Sequence, residues 1–200
     1  MEPGEFVKKW QEYNQRRGQG AAEFVKFVGW NFQVNVHTSQ FLKIAGLPRD
    51  SRIFRTEDED RLLKPLPSVY GPDDWNDLER ARLKPYLLVA DHLGAGDPLC
   101  VDTRDNDAVI VLWHEGSFED RTFVNSSISQ YAGSLLIHAE LYEQYGGRFG
   151  EDADPYEEGD PAMPADLLAQ AAERFRVADA AAMNDGAFWK RELEELAKWT

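Results

Sequence analysis

KPYLLVADHLGAGDPLCVDTRDNDAVIVLWHEGSFEDRTFVNSSISQYAGSLLIHAELYEQY, residues Lys84 to Tyr145, is the stretch that decides the fold. Pro85 to Ala90 is an apolar run with aromatic and β-branched members. The breakers Gly94-Ala95-Gly96-Asp97-Pro98 follow it, so a strand ends there in a tight turn. Leu99 to Asp102 makes a second short strand, Arg104-Asp105-Asn106-Asp107 supplies turn formers, and Ala108 to Trp113 is a third, nearly continuous apolar strand. Short turns between successive strands imply an antiparallel meander. Beyond the charged loop from His114 to Arg121, Thr122-Phe123-Val124 reads as a last β segment. Asn125-Ser126-Ser127 then offers side-chain oxygens to the free N–H groups of a helix start. Ser127 with Gln130 fits a capping box, and Asn125 or Ser126 is expected to cap. Ile128, Tyr131, Leu135, Ile137, Leu141 and Tyr145 recur mostly at three- and four-residue steps, so one face of this helix is apolar and belongs on the sheet. The expectation is one α+β domain with a central antiparallel sheet flanked by helices.

Working outward, Glu5 to Arg17 carries Phe6, Trp10 and Tyr13 at helical spacing and ends at Gly18-Gln19-Gly20. Ala22 to Val36 carries mixed signals: Phe24, Phe27 and Val28 fit a helical face, whereas Phe32, Val34 and Val36 alternate like a strand. The reading adopted is a helix to Trp30. Thr38 or Ser39 caps a short helix from Gln40 to Ala45, which Gly46 and Pro48 terminate. Ile53 and Phe54 suggest an edge strand followed by a loop through Pro65 and Pro67. Pro72-Asp73-Asp74-Trp75 and Leu78 to Arg82 read as a short insert or helical turn. After the long helix, which Gly146-Gly147 is expected to stop, residues 151–161 hold six acids and no base, the composition of a solvated linker. The alternative is an arm that faces a partner. Pro164 to Asp179 and Phe188 to Trp199 are amphipathic helices that fold back on the domain. The organisation is thus N-terminal helices over 1–47, sheet and long helix over 50–147, an acidic linker over 148–162 and C-terminal helices over 163–200.

The 200 residues, 42% hydrophobic, suffice for one ordinary core. A net charge of −14 argues against a nucleic-acid surface, which needs clustered Lys and Arg, and favours a basic partner. No apolar run approaches a membrane span, and the first residues lack the basic start of a signal peptide, so a cytoplasmic protein is expected. The single cysteine, Cys100, lies in a core strand and reads as a small hydrophobe.

Imidazoles and carboxylates gather around the meander turns: Asp91, His92, Asp97, Asp102, His114 and Glu115. Their spacing fits no named metal motif, and Asp91 and His92 point to opposite faces of a strand. Nothing resembles a nucleophile elbow, because Ser126 and Ser127 are explained as caps. The Gly94-Ala95-Gly96 turn lacks the third glycine, the Lys and the following helix of a phosphate loop. No cofactor is expected. Trp113 is core by default. If one side of the sheet is open, Tyr86, Trp113 and nearby acids form a binding face instead.

The order of these motifs carries a resemblance. A strand, a Gly-x-Gly-Asp-Pro turn, a strand bearing an Asp, a strand ending in Trp-x-x-Glu and then Phe-Val-Asn-Ser-Ser opening a helix resembles the SUKH superfamily. Phe123 to Gln130 is most similar to the fourth SUKH group of bacterial immunity proteins. Phe41-Leu42-Lys43-Ile44-Ala45-Gly46-Leu47-Pro48 upstream and Ala182-Met183-Asn184-Asp185-Gly186-Ala187-Phe188-Trp189 downstream extend the match to roughly Ser39 to Leu196. The resemblance implies a SUKH-like fold and a non-enzymatic protein that binds and neutralises a cognate secreted toxin, often a nuclease or another toxin enzyme. The acids of the meander loops are then the expected partner-binding residues: Asp91, Asp97, Asp102, Asp105, Asp107, Glu115, Glu119 and Asp120, with His92 and Trp113. Two other readings stay open, a small-molecule-binding enzyme or sensor using the turns from Asp91 to Trp113, and a protein-binding scaffold without inhibitory role.

Overall fold

Residues 1–29, 33–70, 75–93 and 95–198 are described by the structure, a computed structural model. Among them the chain runs α1 (Pro3–Arg16), β1 (Phe24–Val25), α2 (Val36–Ile44), β2 (Leu47–Pro48), β3 (Phe54–Thr56), α3 (Leu66–Val69) and α4 (Asp77–Leu83). It continues through β4 (Tyr86–His92), β5 (Pro98–Asp102), β6 (Ala108–Leu112), β7 (Arg121–Asn125), α5 (Ile128–Phe149), α6 (Ala165–Ala178) and α7 (Phe188–Leu196). Strands β3 to β7 pair antiparallel in sequence order, with β3 and β7 at the edges, and β1 pairs with β2 in a separate two-stranded ribbon. This is the expected α+β class with its central antiparallel meander.

The unbroken apolar runs of β4, β5 and β6 have a simple cause: both faces of the sheet are covered. One face, with Leu87, Val89, Leu99, Val101, Val109, Val111 and Val124, meets α5 through Ile128, Tyr131 and Leu135, and α1, α2, α6 and α7 close the same core. The other, with Leu88, Cys100, Ile110 and Leu112, is roofed by Leu66, Leu83 and Phe118, with Val69, Tyr70 and Trp75 packed against them. Tyr86 lies in this second core with the Arg104 guanidinium 4.6 Å over its ring. Among the described residues, Leu66, Val69, Tyr70, Trp75, Leu83 and Phe118 cover this side of the sheet, so Tyr86 does not lie on an open binding face. Bulges in β4 beside Val89 and in β7 beside Val124 turn an extra apolar residue toward the larger core.

Several local expectations change. Ala22 to Gly29 is not helical: Phe24 and Val25 pair with Pro48 and Leu47, and the Phe27 N–H donates to Leu42 O at 3.1 Å. The helix end at Trp30 and the alternating Phe32 lie outside the described residues, as do Pro72-Asp73-Asp74, Gly94 and Trp199. Helix α2 starts earlier than Gln40, because Asn35 is its cap and accepts from the Thr38 N–H at 2.8 Å. Helix α5 runs through Gly146-Gly147 and stops at Gly150, whose φ of +116° suits glycine. Its cap is Ser127, which accepts from the Gln130 N–H at 3.3 Å, rather than Asn125 or Ser126.

Asn125 and Ser126 are instead claimed by the C-terminal segment. The Asn125 side chain accepts from the Trp189 indole N–H at 2.9 Å and donates to Ser134 at 3.1 Å and to Asp179 at 3.2 Å. Asp179 also accepts from the Ser126 N–H at 2.6 Å and its hydroxyl at 2.9 Å. Every group in this clasp is paired, as burial requires. The Asn-Ser-Ser motif and the Trp189 motif thus meet in space.

Candidate functional site

In an antiparallel meander the turns alternate between the two ends of the sheet. The β4–β5 turn and the β6–β7 connection share one end, and the β5–β6 turn lies at the other. Asp97 ties the first two together: it accepts from the His114 N–H at 2.9 Å, and its carboxylate lies 2.7 Å from His114 Nδ1. The acids expected to face a partner are therefore not one patch.

They also differ in burial. Asp97, Asp102 and Asp107 are 2%, 1% and 2% exposed, so they cannot present charge to a partner. Asp102 holds Arg104 at 3.0 Å and Arg121 at 3.2 Å, and Asp107 accepts from the Asn35 N–H at 2.7 Å, fastening the β5–β6 turn to the start of α2. Asp91 is half-buried under the second core and accepts from the Tyr70 hydroxyl. Trp113 is half-buried too, its indole N–H donating to the Thr122 hydroxyl at 2.9 Å and its ring 5.5 Å from the Arg191 guanidinium. What remains exposed is Glu115, Glu119 and Asp120 at the β4/β6 end and Asp105 at the opposite end.

Beside Asp91 sits Glu57, which the sequence alone left in an acidic run. Its side chain is 4% exposed and pairs with Arg61 at 3.0 Å, while its Oε1 has no hydrogen-bond partner. Burial, then the neighbouring Asp91 carboxylate, pushes Glu57 up to about 7.

The β4/β6 end holds a second group of polar side chains. His92, at the tip of β4, shares a cavity with His138 and Tyr142 of α5, Glu192 of α7, Arg52, and Asp154 and Tyr156 of the acidic segment. Of these only His92 was singled out from the sequence. His138 had a signal, a titratable side chain on the apolar face between Leu135 and Leu141. Glu192 had none, since it lies in a run of charges typical of a solvated helix face. Among the described residues no group of three or more His, Cys, Asp or Glu side chains is placed to hold a metal ion, and no helix is long and apolar enough to cross a membrane.

Comparison with family models supplies the decisive observation: residues 31–195 match the model described as SUKH-4 immunity protein. The chain belongs to the SUKH-4 immunity protein family. The match spans the meander, α5 and both C-terminal helices, and so includes the whole Asn125–Asp179–Trp189 clasp as well as the exposed acids of the β6–β7 connection. Helix α1 and strand β1 of this SUKH-4 member precede the matched region. No curated protein and no solved structure gives a significant match to the chain.

Proposed function

We propose that this SUKH-4 protein neutralises a cognate secreted toxin by stoichiometric binding, without catalysis, through the end of the sheet where β4 and β6 terminate. The observation that carries the reading is the family membership over residues 31–195. The position of the face rests on Glu115, Glu119 and Asp120, exposed on one loop pinned by the Asp97–His114 contact. A net charge of −14 fits a basic partner, because complementary charge steers encounter and an acidic inhibitor suits the cleft of an enzyme that handles an anionic substrate, such as a nuclease.

The test mixes the protein with the toxin encoded beside it and follows association and inhibition at low and high salt. Exposed rim charges act mainly on association and are screened over about 10 Å at 0.1 M salt. The double reversal Glu119→Lys with Asp120→Lys should slow association about tenfold at low salt and much less at high salt. Asp105→Lys, at the other end of the sheet, should leave it unchanged. Equal effects at the two ends would reject the face, and turnover of a substrate by this protein alone would reject the mechanism.

A further inference from the structure

The cavity beside His92 has a volume of about 290 Å³, at the lower edge of the ~300–1,000 Å³ usual for ligand pockets. It suits one side chain better than a drug-sized molecule. Its charges do not cancel. The Arg52 guanidinium stacks 4.2 Å over the Tyr142 ring and pairs with Asp154 at 3.2 Å, so one wall already shows how this site holds a cation. Glu192, whose side chain is 14% exposed, lies 3.4 Å from His138 Nε2 and accepts from the Tyr156 hydroxyl at 3.1 Å. Among the described residues no Lys or Arg forms an ion pair with it. The His92 ring is packed against Phe54 at 5.4 Å and Phe188 at 5.7 Å, and its Nδ1 is buried with no hydrogen-bond partner. Burial holds His92 below the usual imidazole value, so its ring adds no positive charge to the site.

We propose that this cavity receives the ammonium or guanidinium group of a Lys or Arg side chain presented by the toxin. Glu192 supplies the counter-charge, and the Tyr142 and Tyr156 rings flank the apolar stem. The inference rests on the toxin-binding reading for the source of the cation, but not for the chemistry of the pocket. It also fits the location, because His92 ends β4 at the same end of the sheet as Glu115, Glu119 and Asp120.

Two measurements separate the pocket from the partner. In the first, the protein alone is titrated with N-acetyl-argininamide, N-acetyl-lysinamide and the uncharged N-acetyl-norleucinamide while the ring protons of His92 and His138 are followed by NMR. Saturable shifts with a cationic probe, absent with norleucinamide and weakened at least about tenfold in Glu192→Gln, are expected. No saturation, the same response to norleucinamide, or indifference to Glu192→Gln overturns the pocket. Tyr156→Ala, on the exposed acidic segment, gives a second variant should Glu192→Gln fail to fold, and it too should weaken the response. In the second, Glu192→Gln is assayed against the toxin. Weaker binding than wild type is expected, whereas unchanged binding, with the free probes still recognised, overturns the toxin as the source. A wild-type protein that recognises the probes but never binds the toxin would defeat the functional reading while leaving the pocket intact.

Discussion

Glu57 shows how little a residue's type says about its surroundings. It stands in the run Glu57-Asp58-Glu59-Asp60, yet only its own side chain turns under the sheet, between Asp91 and Arg61, with Tyr70 and Asp58 nearby. Its value rises from 4.5 in an unfolded chain to about 7 in the folded protein. A carboxyl raised in this way binds its proton more tightly when folded, so its contribution to stability is complete below about pH 4.5 and is lost as pH rises through about 7. Urea midpoints measured from pH 5 to pH 8 should fall more steeply for the wild type than for Glu57→Gln, which keeps the shape and removes the titration. Identical slopes would mean that Glu57 is ionised throughout. The same gap between type and place explains the acids of the meander. Asp97 and Asp107 are legible as turn residues and Asp102 as the end of a strand, but their burial depends on His114, Arg121 and Asn35, which no local pattern connects to them.

Elements were legible where many residues agree on one period. The strands β4 to β6 and the helix α5 each repeat their signal several times, and their tertiary setting follows local preference. The ribbon of β1 and β2 has only two residues on each side, too few to show any period, so in the sequence Phe24 and Phe27 look like a helical face. The residue that fixes this ribbon is Gly46. It sits at φ +71°, and a Cβ built there would lie 2.4 Å from Val25 O and 3.0 Å from Val25 C, both backbone atoms that cannot rotate away. Left-handed backbone alone costs a residue with a Cβ about 1–2 kcal/mol. Gly46→Ala should therefore destabilise the protein by more than ~2 kcal/mol, and β1 must move to relieve the contact. Denaturant unfolding gives the magnitude, and amide exchange of Val25 and Phe27 locates it. A loss below 1 kcal/mol with exchange at both positions unaltered would show that the ribbon yields without cost.

At the scale of the molecule, the sequence predicts one domain even though an acidic segment divides the sheet and α5 from α6 and α7. The packing argues for one unit. A single apolar cluster runs from Phe6 in α1 through Leu87, Val109 and Tyr131 to Trp189 and Leu196 in α7. Trp189 is fully buried, stacks on Phe175 at 4.9 Å, touches Phe54 of the edge strand at 6.4 Å between ring centres, and donates to Asn125 at the end of β7. A domain so joined should unfold in one transition, with far-UV dichroism and tryptophan fluorescence giving coincident curves. Trp189→Phe tests the joint itself. It keeps an aromatic ring against Phe175 but leaves the Asn125 carbonyl oxygen without its donor in a dry site, at a cost of about 1–3 kcal/mol from the lost hydrogen bond. If the C-terminal helices are part of the same cooperative unit, both probes shift together to lower denaturant and the slope of the transition stays constant. If they only lie against the domain, the variant splits the curve in two, with the helical signal of α6 and α7 lost before the sheet melts.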